Sequence, residues 1–127
     1  MEAYVGARKN GNGKIQFFAL VVEKREGEKV SGRLEDTLHS SSFQGTINAK
    51  NCRIEEEFRH HALQGKVKIM RAQYKLAGKK ERYQGSYHGP LSRGRVWMEA
   101  YPASSPLVNA IYAHIMQSKV RQSHYLA

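Results

Sequence analysis

The sequence predicts a mainly β (α+β) fold, an antiparallel meander or small barrel of about seven strands over residues 12–101, followed by one amphipathic helix over about 105–122. Three observations carry this. First, an apolar-Gln-Gly-x-apolar unit recurs at Phe43–Ile47, Leu63–Val67 and Tyr83–Tyr87, with its glycines twenty positions apart, a period of about two strands and two turns. Second, apolar residues alternate with polar ones on either side of those glycines, as in half-buried strands with local bends. Third, the period changes after Ser104 from two to that of a helix. At 127 residues and an ordinary composition, one domain spanning 1–127 is expected.

Asn10-Gly11-Asn12-Gly13 reads as a turn, and Ile15–Val22 is apolar on both faces, which describes a central strand. Glu26-Gly27-Glu28 turns the chain. Val30, Gly32 and Leu34 then share one face, and Ser31, Arg33 and Glu35 the other. The strand around Phe43, Gly45 and Ile47 returns through Ala49-Lys50-Asn51 toward Cys52, Ile54 and Phe58. Glu56 breaks the apolar phase there, and Glu55-Glu56-Glu57 reads as a solvated edge or bulge rather than a metal site. Between Leu63 and Leu76 the apolar set shifts from odd to even positions, which predicts a β-bulge near Ile69-Met70. Tyr83, Gly85 and Tyr87 face inward on the next strand. The last strand runs to Tyr101 with Arg95, Trp97 and Glu99 on its polar face. Beyond it, Ser105 and Pro106 open a helix whose stripe is Leu107/Val108, Ile111/Tyr112, Ile115/Met116 and Val120. That stripe closes the sheet or offers an interface to a partner or a second copy.

Charge is distributed unevenly. The chain has 21 Lys and Arg against 11 Asp and Glu, a formal net charge of +10. Residues 1–58 hold nine of each sign, whereas 59–127 hold twelve basic residues against Glu81 and Glu99 alone. A one-sided field of this kind concentrates polyanions, nucleic acid first among them. Strand alternation places Lys66 and Lys68 outward, with Arg71 and Lys75 continuing that face after the bulge. Lys79 and Lys80 fall in the following turn, Arg82 on the next strand, and Arg93, Arg95 and Trp97 on the last. Cations hold phosphates and an exposed indole stacks on a base, so these ten residues form the candidate interface for RNA or single-stranded DNA.

Other classes find less in the sequence. No Walker loop, dinucleotide fingerprint, nucleophile elbow or paired-cysteine site is present. The expectation is a non-enzymatic binder with no catalytic residue, cofactor or metal. A nuclease assembled from His88, Arg93, Arg95 and Glu99 is not demanded by any spacing, and His60-His61 point to opposite faces of a strand. Cys52 is expected to be buried and inert, and the absence of a leader-like or membrane-spanning segment points to a cytoplasmic protein without membrane insertion. Two alternatives stand beside nucleic-acid binding. A meander with a terminal helix is the outline of lipocalin-like carriers, which would set Phe17, Phe43, Phe58, Tyr74, Tyr83 and Tyr87 around a ligand. A protein-protein adaptor or inhibitor would use the basic face against an acidic partner, or the helix for a homo-oligomer.

Overall fold

In the computed structural model, which describes residues 2–61 and 65–126, the meander closes on itself. Eight antiparallel strands follow one another around the barrel: β1 (Glu2–Asn10), β2 (Ile15–Glu26), β3 (Lys29–Glu35), β4 (Ser40–Ile47), β5 (Asn51–His61), β6 (Val67–Lys79), β7 (Arg82–His88) and β8 (Arg93–Tyr101). Helix α1 (Pro106–Leu126) completes the chain.

The strand that the sequence did not announce is β1. Ala3-Tyr4-Val5-Gly6-Ala7 is buried on both faces, so no polar alternation marks it. It supplies the closure, pairing from Glu2↔Val22 to Lys9↔Ile15 on one side and from Ala3↔Tyr101 to Asn10↔Gly94 on the other. Inward residues of all eight strands form one core, including Tyr4, Phe18, Leu34, Phe43, Ile54, Tyr74, Leu76, Tyr83 and Met98. Gly45 and Gly85 belong to that inward set. A Cβ on either would lie 1.9 Å from a backbone carbonyl of the adjoining strand, Arg53 O or Lys75 O. The third glycine of the repeat differs: Gly65 has φ +74° and precedes β6. Leu63 and Gln64 lie outside the described residues, so the twenty-residue period joins two strand glycines to one in a connection.

The bulge expected at Ile69-Met70 is not there. The β5–β6 ladder keeps one register through eleven pairs, from Asn51↔Ala77 to His61↔Val67, and the irregularity falls instead between Val22 and Lys24 in β2. Val67 and Ile69 take the outward phase and stand exposed near the end of the hairpin, where neither face is required to enter the core. The phase change therefore marks the start of core burial at Met70 and Ala72, not a bend.

The apolar second face of β2 has a different cause: α1 lies across it. Val108 and Ile115 are buried against Val5 and Ala19, with Ile111, Tyr112, Tyr101 and Ala103 around them. The buried stripe is narrower than the one read from the sequence, since Leu107 and Val120 are exposed. Asn109 fixes the helix start, accepting from Ala103 N and donating to Ala103 O, both at 2.9 Å. Tyr101 and Tyr112 stack with centroids 4.0 Å apart. Farther along, Lys119 donates to His39 O and lies 3.3 Å from the buried Glu35 carboxylate. Among the described residues no helix is long and apolar enough to cross a membrane.

Candidate functional site

The register carries the outward face of the barrel from strand to strand. Arg53 on β5 pairs with Lys75 on β6, Lys75 with Ser86 on β7, Ser86 with Arg95 on β8, and Arg95 with Lys9 on β1. All five side chains are exposed. Directly paired residues project from the same face of a sheet, so these form one row across five strands, about 19 Å at roughly 4.8 Å per strand. Four of the five are cationic and the row contains no carboxylate. None of the four cations makes an ion pair among the described residues.

Two neighbouring rows complete the surface. On one side Gln73, His88 and Arg93 are paired in turn, adding a fifth exposed cation. On the other side Gln84, Trp97, Ala7 and Phe17 are paired in turn. Trp97 is 38% exposed and Phe17 45%, with the small, buried Ala7 between them. The indole thus borders the cationic row and is partly exposed to solvent.

The residues expected at the interface therefore divide. Lys75, Arg93, Arg95 and Trp97 come together on this face. Arg71 is on it too, but lies 3.6 Å from Glu55 and 3.9 Å from Glu57, and Arg82 lies 3.5 Å from Glu99, so both are offset by acids of the same sheet. Lys79 ends β6 opposite Arg82, and Lys80 sits in the β6–β7 turn with φ +53°. Lys66 precedes β6 and lies outside the ladder, and Lys68 alternates in phase with the inward Met70 and Ala72, so Lys68 does not share the outward face of Arg71 and Lys75. The predicted placement failed because it depended on the bulge. In return, the row contains Arg53 and Lys9, which sequence reading missed. Both lie in the half whose charges cancel, and Lys9 lies on the unrecognised strand.

Phe17 points out of the barrel, whereas Phe43, Tyr74, Tyr83 and Tyr87 are packed within it. His88 faces Arg93 across the ladder, while Glu99 is engaged with Arg82. The side chains of His60 and His61 lie outside what is described. Cys52 is fully buried, and burial pushes its thiol up to about 12. Among the described residues no cluster of His, Cys, Asp or Glu could hold a metal.

Glu56 departs most from its expected place. A closed barrel has no edge for β5 to occupy, and Glu56 is inward and 6% exposed. Its Oε1 accepts from Tyr74 Oη at 2.7 Å and Arg8 Nη1 at 3.2 Å, and its Oε2 accepts from Ser41 Oγ at 2.5 Å. Arg8 Nη1 also donates to Tyr74 Oη at 2.6 Å. Burial drives the Tyr74 phenol well above its ordinary range, against the pull of Arg8. For Arg8 itself, burial favours deprotonation, and the combined fields of Tyr74, Glu56 and Asp36 overcome it and keep the guanidinium charged.

No known family model, curated protein or solved structure matches this chain. Function therefore rests on the chemistry of these surfaces.

Proposed function

We propose that the protein binds single-stranded nucleic acid, RNA or DNA, along the outward face of β5, β6, β7, β8 and β1. The observation that carries this reading is the carboxylate-free row Arg53, Lys75, Ser86, Arg95 and Lys9. Exposed cations at strand spacing neutralise successive phosphates and release their counterions. Trp97 and Phe17 border the row and present faces on which unstacked bases can lie, a sequence-tolerant interaction of about 1–3 kcal/mol per base. Phosphate contacts position the strand without selecting its sequence.

Trp97 is the only tryptophan in the chain, so its fluorescence reports stacking directly. Titration with short RNA and DNA strands at low salt is expected to quench it. Lys75→Glu/Arg95→Glu should abolish the quench, while polyglutamate should produce none. An unquenched indole at saturating strand concentration overturns the proposal. A quench by polyglutamate equal to that by RNA would point to an acidic protein partner instead.

A further inference from the structure

The barrel has two unlike ends. At one, Arg25 forms a double hydrogen bond with Glu2, which also accepts from Tyr4, and Tyr83 donates to Asn48 O; aromatic and aliphatic side chains fill the lumen above them. At the other, where β1, β3, β5 and β7 end, the core gives way to the polar layer of Arg8, Glu56, Tyr74 and Ser41. A cavity of about 1030 Å³ opens above it.

The hydrogen bonds of Arg8 in that layer are one-sided. Nη1 is committed to Glu56 and Tyr74, whereas Nε is buried and donates to nothing among the described residues. Among the described residues Nη2 has only Asp36 Oδ2 at 3.8 Å, within Coulombic reach and beyond hydrogen-bond length. Nε and Nη2 form the side-on edge of a guanidinium, two parallel N–H groups whose spacing matches the two oxygens of a carboxylate. A buried guanidinium N–H left without an acceptor is an exception that calls for a partner.

Around the same cavity stand three large apolar side chains that the fold leaves in water: Leu38 at 71% exposure, Ile69 at 59% and Leu91 at 58%. They come from the β3–β4 turn, the start of β6 and the β7–β8 turn, so their convergence comes from tertiary structure, not from one apolar segment. Lys14 and Arg59 also line the cavity, and neither has an ion-pair partner among the described residues. An unfilled guanidinium edge below, apolar groups around the opening and unpaired cations beside them describe a receptor for an amphipathic anion.

We infer that the mouth of the barrel binds a small organic carboxylate with an apolar body. The carboxylate lies toward the Nε–Nη2 edge of Arg8, and the apolar body rests against Leu38, Ile69 and Leu91. A short shift of Arg8 and displacement of Asp36 from its 3.8 Å contact admit the ligand oxygens. This site is distinct from the outward face and stands whether or not that face binds nucleic acid.

The test is calorimetric titration of the whole chain with decanoate and, separately, decanol, below their aggregation concentrations. Decanoate is expected to bind at one site and decanol about tenfold more weakly or worse. Leu38→Asp/Leu91→Asp, which alters only exposed side chains, should abolish decanoate binding. Asp36→Asn keeps an oxygen that can accept from Leu38 N and His39 N, as Asp36 Oδ1 does now, while removing the charge that competes for Arg8. It should tighten decanoate binding about fivefold. Lys75→Glu/Arg95→Glu should leave it unchanged. Equal affinity for decanoate and decanol, no binding of decanoate at millimolar concentration, or affinity unmoved by the Asp36 and rim variants would each overturn the inference.

Discussion

Replacing Glu56 by leucine tests whether the polar layer within the barrel is an integrated part of the fold. The substitution removes three hydrogen bonds to a buried charge, from Tyr74, Arg8 and Ser41. It also leaves Arg8, 12% exposed, with no carboxylate closer than Asp36 at 3.8 Å. Breaking a buried pair from one side costs about 3–5 kcal/mol, because the remaining charge stays desolvated and unpaired. At roughly 2.1 cal/mol/K per residue, 127 residues give an unfolding entropy near 0.27 kcal/mol/K, so Tm should fall by about 11–19 °C. Glu56→Gln keeps the shape and one acceptor and should fall between wild type and Glu56→Leu. Removing both charges in Arg8→Met/Glu56→Leu should recover much of the loss, since the cost lies in the uncompensated partner and not in the absence of a pair. Differential scanning calorimetry on the four proteins provides the comparison. A loss below about 1 kcal/mol in Glu56→Leu, or a double variant no more stable than the single, would refute the reasoning.

Three further predictions follow from other parts of the barrel. The Glu2 carboxyl is held below its ordinary range, first by its hydrogen bonds from Arg25. A depressed carboxylate stabilises the fold above its unfolded pKa and loses that contribution as pH falls through the folded value. Arg25→Gln should therefore cost about 0.5–1 kcal/mol more at neutral pH, for a pair this exposed, than in acid, where its hydrogen bonds to Gly27 O and Ile47 O are what remains to be lost, as read from urea melts stepped downward from pH 7. Gly45→Ala would place a Cβ 1.9 Å from Arg53 O and should destabilise by about 3 kcal/mol, whereas Gly11→Ala, with open space around it, should be nearly neutral. Cys52, fully buried and with its thiol pushed up to about 12, should resist a thiol reagent in native protein at pH 8 and react once the chain is denatured. Stoichiometric labelling of folded protein would contradict that.

The sequence makes the scaffold legible wherever one face of a strand meets the core and the other meets water. Val30, Gly32 and Leu34, the Phe43–Ile47 unit and Tyr83–Tyr87 all point where period-two alternation puts them. The signal fades under three physical conditions. In β1 both faces are covered, by the core and by α1, so a small-residue run carries no alternation. At the start of β6 neither face is fully covered, so Val67 and Ile69 carry no information about inside and outside, and Lys68 falls in the opposite phase from Arg71 and Lys75. Glu56 sits in the inward phase and looks like a phase error, because its partners are supplied by tertiary structure: Tyr74 is 18 residues away and Arg8 is 48. The candidate interface follows the same pattern. Lys75, Arg93, Arg95 and Trp97 were visible on their strands, but the row is completed by Arg53 and Lys9, which only the closed register brings beside them.

Salt dependence tests the polyanion-binding row most directly. Four cations, Arg53, Lys75, Arg95 and Lys9, contacting four phosphates of a single strand predict a slope of log K against log salt of about −2.8, or roughly a 50-fold loss between 50 and 200 mM. Lys75→Gln/Arg95→Gln leaves two and should halve the slope to about −1.4, with a loss near sevenfold over the same range. Fluorescence anisotropy of a labelled oligonucleotide across that series measures both slopes. A halved slope supports the row as the phosphate-binding surface, while an unchanged slope in the double variant, or no binding of any strand at 50 mM salt, contradicts it.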